Sequence, residues 1–363
     1  MAKLSISNIG SLGTFKNKII NGGFDIWQRG GGSGDHQSGG DYSADRWVQY
    51  KNGAMVLNPY KSTGAPTYTE CGRANTYTMR CNVATADTSI AASDYALILQ
   101  PIEGYNIVDL LGKTCTLSFW ARAVTTGTYC VAFRNSVADR SYVAEFTINS
   151  TTTWEYKTVT FTMDDGLTGT WDFTNGVGLY VNFILAAGSN FQTTPGSWQS
   201  GSYLATSNQV NGVATTDDHL RLSMVQLEVG SSATSFESRS IQQELALCQR
   251  YFEKSYDLEV TPADSAVSGF VTGIIIAPTV IYSSTIEYLV DKRAQASITY
   301  YKPPTVSSAG LWAWHNGSVW VTPDGMGTAG NLFRGFTPTI NDSGMTTLNP
   351  TLLYGGWTAD AEL

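Results

Sequence analysis

Helical periodicity occurs once in this chain. Between Ser240 and Tyr256 (SIQQELALCQRYFEKSY), Ile241, Leu245, Cys248 and Phe252 fall on one stripe with Tyr251 on its flank, while Gln242, Gln243, Gln249, Arg250, Glu253 and Lys254 point elsewhere. Ser240 followed three residues later by Gln243 is a capping box that satisfies first-turn amides, and Lys254 suits the negative end of a helix dipole. The pattern predicts one helix over 239–257, about 25 Å long at ~1.5 Å per residue. A lone helix cannot bury such a stripe on itself. It must lie on a sheet or on copies of itself, and since everything before and after reads as strands and turns, it is expected to join two β domains.

From Arg46 to Glu228 there are roughly ten short runs of β-branched and aromatic residues separated by Gly, Asn, Asp, Ser and Pro, the spacing of an all-β sandwich. In Thr114 to Arg122 (TCTLSFWAR), Cys115, Leu117, Phe119 and Ala121 face one way and Thr116, Ser118, Trp120 and Arg122 the other. Gly178 to Leu185 repeats the alternation, with Leu179, Val181, Phe183 and Leu185 inward and Tyr180 and Asn182 on the opposite face. The expected fold is therefore mainly β: an antiparallel jelly-roll β-sandwich over 19–238 plus a smaller C-terminal β-sandwich over 258–363, joined by one amphipathic helix. Ile19 to Gln28 reads as the first strand, Gly30 to Gly40 as a glycine-rich loop, and residues 1–18 as either an N-terminal docking arm or a frayed terminus.

Charge narrows the functional classes. Only 14% of residues are charged, against about 25% in ordinary domains, and 22 basic against 30 acidic residues leave a net charge of −8. With no Lys/Arg cluster longer than a pair, phosphate backbones would be repelled, so no nucleic-acid partner is expected. No run approaches ~18 apolar residues and the first residues lack a signal-peptide core, so a soluble chain made in the cytoplasm, with no membrane insertion, is expected. The five cysteines (Cys71, Cys81, Cys115, Cys130 and Cys248) form no CxxC and read as small buried thiols.

Catalytic frames are missing. His36, His219 and His315 sit in no nucleophile motif and read as surface or turn residues, and Gly325 to Gly330 matches G-x-G-x-x-G but leads into NLFRGFTPT, which opens no helix. A polysaccharide depolymerase would need paired carboxylates across a groove, and Asp41, Asp45, Asp164, Asp165, Asp217 and Asp218 are available, though acids on turns are commonly just solvated. No enzyme is expected. Glycan binding needs a flat aromatic against the apolar face of a sugar ring, flanked by planar polar groups for its hydroxyls. Trp120 with Arg122 and Tyr180 with Asn182 would make such a platform if their strands are sheet neighbours. Alternatively, the helix, a loop or a neighbouring subunit covers that face.

The motifs NGGFDIWQRG (Asn21 to Gly30), DYSADRWVQY (Asp41 to Tyr50) and QLEVGSSATSFESRSIQQELALCQRYFEKSY (Gln226 to Tyr256), with the ending WTADAEL, resemble a family of bacteriophage tail fibre or minor tail proteins carrying a carbohydrate-binding-module-like jelly roll. The resemblance implies a virion protein, a homotrimer that contacts other virion proteins and attaches to host surface polysaccharide. A purely structural virion part with no sugar binding is the rival. It also makes Asp25 and Asp218 candidate ligands of a structural calcium ion; otherwise Asp25 caps a turn and Asp218 is a solvated charge at a strand edge. Trp27 and Trp47, in the same motifs, are expected to pack under the first strands.

Overall fold

The computed structural model describes residues 15–31, 40–266, 269–277, 279–305, 307–345 and 350–363. The chain is mainly β, and its strands pair antiparallel. Twelve strands build the first body: β1 (Asp41–Tyr42), β2 (Val48–Asn52), β3 (Val56–Ser62), β4 (Thr78–Thr85), β5 (Tyr95–Glu103), β6 (Thr114–Ala123), β7 (Gly127–Arg134), β8 (Arg140–Ile148), β9 (Glu155–Thr162), β10 (Val177–Ala187), β11 (Trp198–Ser200) and β12 (His219–Val229). They form a seven-stranded sheet in the order β1-β2-β5-β10-β7-β8-β11 and a five-stranded sheet in the order β3-β4-β12-β6-β9.

Period-2 alternation sets which residues meet between the sheets. Cys115, Leu117, Phe119 and Ala121 of β6 and Leu179, Val181, Phe183 and Leu185 of β10 are all fully buried in one core cluster, as their spacing predicts. Phe119 and Phe183 touch edge to face across it, 5.0 Å between centroids. Trp27 and Trp47 are buried in the same core.

Ile19 to Gln28 is not a strand. Asn21 and Phe24 adopt positive φ, and the Asn21 side chain ties the segment into a knot: its Nδ2 donates to the carbonyls of Ile26 and Asp45, and its Oδ1 accepts from the Ile26 amide. Gly22 lies against the β12 backbone, where the Val225 amide donates to its carbonyl at 2.9 Å; a Cβ there would collide with the Val225 carbonyl. The expected arm also ends earlier than residue 18, because Asn17 and Lys18 hydrogen-bond to Val225 and Leu227. Residues 1–14 of that arm, and residues 32–39 of the glycine-rich loop with His36, lie outside the described residues.

A short helix, α1 (Tyr68–Cys71), follows β3, and α2 (Ile241–Gln249) follows β12. The capping box at Ser240 and Gln243 forms as the sequence predicts, but α2 is nine residues long and stops well before Tyr256. From Phe252 the backbone leaves the helix to form β13 (Phe252–Lys254). Lys254 therefore serves no helix dipole; its Nζ donates to the carbonyls of Leu258 and Val260. Cys248 and Tyr251 pack with Ile20 and Ile26 of the first body, whereas Ile241, at the head of the expected stripe, is 45% exposed.

Ten strands follow β13 in the C-terminal part: β14 (Phe270–Ala277), β15 (Val280–Ser283), β16 (Ile286–Glu287), β17 (Ser297–Tyr301), β18 (Ala313–His315), β19 (Trp320–Val321), β20 (Gly325–Leu332), β21 (Gly335–Asn341), β22 (Pro350–Tyr354) and β23 (Gly356–Asp360). Strands β13, β23 and β17 make a small sheet; the others make an eight-stranded one. Trp312, Trp314, Phe336, Ile340, Leu353 and Trp357 fill a separate core. The G-x-G-x-x-G match lies within β20, hairpin-paired with β21.

The chain end returns to the first body. Glu362 pairs with Arg46 and, at 3.2 Å, with Arg29, while Arg29 also reaches Asp360 at 3.0 Å. Arg46, 1% exposed, lies 3.5 Å over the Tyr251 ring. Arg250 grips Glu103 through Nε and Nη2 at 2.8 and 2.6 Å.

Candidate functional site

The outer face of the seven-stranded sheet carries an aromatic cleft of about 350 Å³. Its floor comes from the strand positions that alternate away from the core: Leu97 and Leu99 on β5, Tyr180 on β10 and Arg134 on β7. Tyr180 and Arg134 are direct cross-strand partners. Tyr50 of β2, 37% exposed, stands on one side. The segment running from Gly188 toward β12 folds back over the sheet and supplies Phe191, Ser202 and Leu204, with Phe191 meeting Tyr95 edge to face at 5.2 Å. Ser136 and Ala138 close the far end from the turn between β7 and β8.

Arg134 is the cleft's cation. Its Nη1 donates to Ser202 Oγ at 2.9 Å and its Nη2 to Asn182 Oδ1 at 3.4 Å, and its Nε–H finds no partner among the described residues. No carboxylate pairs with it among the described residues. Burial holds the guanidinium below its ordinary value, and burial also pushes the Tyr180 hydroxyl up. The arrangement offers aromatic faces and a planar donor already half desolvated, the chemistry that takes a sugar ring and its hydroxyls.

The four residues expected as one platform do not share a face. Strand β6 belongs to the five-stranded sheet and β10 to the seven-stranded sheet, with the core between them, so Trp120 and Arg122 look out on one side and Tyr180 and Asn182 on the other. Alternation reports which way a side chain points within its sheet; it does not report which sheet. Asn182 is fully buried and donates to the Ala132 carbonyl at 2.9 Å, so it positions Arg134 and offers no surface of its own. Trp120 is half-buried beside Tyr156 at 5.6 Å, in a hollow of about 260 Å³ that Thr234, Ser235 and Phe236 of the following loop partly cover.

Asp25 and Asp218 do not make a calcium site. The Asp25 carboxylate is held by Arg73 at 3.1 Å. Asp218 accepts from the Thr125 hydroxyl and from the His219 amide at 2.6 Å. Asp25 follows the knot that contacts Val225, and Asp218 precedes β12, so about 20 Å of strand separates them at ~3.3 Å per residue. No group of three Asp, Glu, His or Cys residues placed to hold a metal ion occurs among the described residues.

Of the other candidate carboxylates, the Asp41 side chain lies outside what is described, and Asp45, Asp164, Asp165 and Asp217 are engaged, Asp217 by the Asn82 amide. Arg140 chelates Asp164 Oδ2 at 3.0 and 2.5 Å, Asp165 caps a turn through the Leu167 amide, and Asp45 holds Gln28 by its amide and side chain. His219 is a correction: it is 6% exposed at the start of β12 and no surface residue. All five cysteines are free, and Cys81, Cys115, Cys130 and Cys248 are buried. Sequence reasoning missed Tyr50, Tyr95, Arg134 and Phe191. The first three sit at strand positions of outward parity, a signal that was present, but Phe191 and Ser202 reach the cleft only because a long connection folds over the sheet.

The chain matches no protein-family model and no curated protein. Solved structures that match it include carbohydrate-binding modules. One is a family 4 module, 17% identical with a TM-score of 0.28, spanning 58% of this chain and 98% of its own. Another is the family 11 module from Clostridium thermocellum in complex with a β-1,3-1,4-mixed-linked tetrasaccharide, 13% identical with a TM-score of 0.30, over 55% of this chain and 95% of its own. A third is the N-terminal cellulose-binding domain of the Cellulomonas fimi β-1,4-glucanase C, 16% identical with a TM-score of 0.27, over 52% and 90%. At such scores the likeness says nothing about a ligand, and the site is argued from its own side chains.

Proposed function

We propose that this protein is a non-enzymatic glycan-binding protein of a phage virion, attaching to bacterial surface polysaccharide through the cleft on its seven-stranded sheet. The observation that carries the reading is Tyr180 paired with Arg134 beneath the walls formed by Tyr50, Tyr95 and Phe191. A sugar ring stacks on the aromatics, and its hydroxyls accept from the guanidinium that Ser202 and Asn182 hold in place. The virion setting rests on the three motifs quoted above. Such a site is shallow, and copies displayed together raise avidity without new contacts.

A purified-protein screen against neutral and acidic bacterial polysaccharides tests this. Wild type is expected to bind at least one neutral glycan, with Tyr180→Ala weakening it about tenfold through loss of the stacking face. A chelator is expected to change nothing, because Asp25 and Asp218 bind protein groups. Failure of wild type to bind any glycan, or equal binding by Tyr180→Ala, removes the proposal.

The structural reading has its own support. On the eight-stranded sheet, Phe270, Ile274 and Ile276 of β14, Tyr282 of β15 and Leu352 of β22 are all exposed on one face, 59, 58, 56, 39 and 46% respectively. An uncovered apolar face of this kind suits packing against copies of the chain, in keeping with a homotrimer. Sedimentation is expected to report a trimer that Ile274→Asp dissociates; a wild-type monomer at all concentrations would sink it.

A further inference from the structure

The outer face of the five-stranded sheet carries a row of arginines without acids. Register places Arg80 of β4 opposite Arg221 of β12, and Arg221 opposite Arg122 of β6, with Tyr60 of β3 opposite Arg80. All three arginines lie at outward parity on adjacent strands, so at ~4.8 Å per strand the guanidinium stems span about 10 Å in a line. None forms an ion pair among the described residues. Arg80 donates to Asn82 Oδ1 at 2.7 Å, Arg221 donates to the Thr63 carbonyl at 3.2 Å, and Arg122 has no hydrogen bond.

The Nε–H groups of all three are buried without a partner among the described residues. So are Asn58 Oδ1, His219 Nε2 and Ser223 Oγ, which lie on the same sheet. Acids in the neighbouring loops are occupied: Glu70 caps α1 through Thr67, Asp217 accepts from Asn82 and Glu155 pairs with Lys157. Three like charges side by side, partly desolvated and mutually repelling, are costly in an isolated protein. Burial followed by the fields of Arg80 and Arg122 pushes the Arg221 guanidinium down to about 10.

We propose that this row is a second glycan-binding face, distinct from the cleft, and that it takes an acidic polysaccharide whose carboxylates or phosphates lie along Arg80, Arg221 and Arg122. Guanidinium forks match such oxyanions bidentately. Two residues along β6 on the same face, Trp120 stands opposite Tyr156 of the edge strand β9, 5.6 Å apart, so a ring of the same chain can lie on an aromatic face while its acid groups reach the arginines. Nucleic acid suits the site less well, because a phosphate backbone draws its affinity from many cationic contacts and this row offers only Arg80, Arg221 and Arg122.

Affinity electrophoresis of the full chain through gels containing polygalacturonate, a phosphomannan or the neutral glucan laminarin tests the proposal. Retardation by at least one acidic polymer is expected, weakened about tenfold in Arg80→Gln/Arg122→Gln and relieved by added salt. Which acidic polymer is retained tells carboxylate from phosphate. Tyr180→Ala is expected to leave acidic retention intact, so failure of the cleft and failure of the row are separable. Neither arginine holds a carboxylate, so the variants are expected to fold, and Arg122→Gln alone provides a milder second test. No retardation of wild type by either acidic polymer, or equal retardation of the double variant, overturns the inference. So does sedimentation showing that the row instead mediates contact between copies, lost in the double variant.

Discussion

Two regions of this molecule hold partly or fully buried arginines and treat them in opposite ways. At the seam between the chain end and the first body, Arg29, Arg46 and Arg250 each meet a carboxylate, from Glu362, Asp360 or Glu103. On the outer face of the five-stranded sheet, Arg80, Arg122 and Arg221 meet none. Desolvating a guanidinium is expensive in both places. At the seam, the offset comes from within the fold, and the arginines hold pieces of chain together. On the sheet face no acid among the described residues supplies it, and the half-exposed Arg80 and Arg122 leave room for water or a bound acid to do so. The contrast separates an arginine that is part of the structure from one that awaits a partner, a distinction neither burial nor sequence spacing makes alone.

The largest effect that would sharpen the contrast is at the seam. Glu362→Gln leaves Arg46, 1% exposed, without its counter-charge, and removal of one partner from a buried pair costs about 3–5 kcal/mol. Urea unfolding is expected to show a loss of that size. A loss below about 1 kcal/mol would mean that the Tyr251 ring and the Pro101 carbonyl, which also contact Arg46, suffice to hold it.

The matching change on the sheet face is expected to do much less. Arg122→Gln removes a charge that repels Arg221 and forms no ion pair among the described residues, so stability should stay within about 0.5 kcal/mol of wild type or rise. A loss comparable to that of Glu362→Gln would show that the row is structural, and the contrast would collapse.

These two regions were unequally visible in the sequence. Alternation in Thr114 to Arg122 and Gly178 to Leu185 revealed the core faces of β6 and β10 because a period of two is a local property. Which strands pair is not local, and the platform of Trp120 and Tyr180 required their strands to be sheet neighbours, a condition that the two separate sheets do not meet. Helix α2 shows the same limit. Its capping box was legible within four residues, yet the apolar stripe continues through Tyr251 and Phe252 into a stretch whose backbone pairs with β23, over a hundred residues away. Local periodicity lost to a long-range ladder. The arginine row was legible only in part: each arginine has outward parity, but their alignment depends on register, as does the meeting of Glu362 with Arg46.

The smallest expected effect concerns His219, which borders the row and was expected at the surface. Burial first, and then the fields of Arg80 and Arg221, push its imidazole down to about 4, despite a hydrogen bond to the Asp217 carbonyl. A folded value below the unfolded value of about 6.5 means that the neutral ring is what the fold accommodates. Its contribution is therefore fully present above pH ~6.5 and is lost as the pH falls from there toward 4, where the unfolded chain binds a proton that the folded one resists. Thermal midpoints of wild type and His219→Gln, measured from pH 7.5 to 4, should draw together as the pH falls, since only wild type carries this penalty. Added polygalacturonate is expected to restore part of the gap, because an acid seated on the row screens a protonated ring as well as the arginines. If the gap stays constant with pH, then His219 titrates alike in both states and is not desolvated with the row.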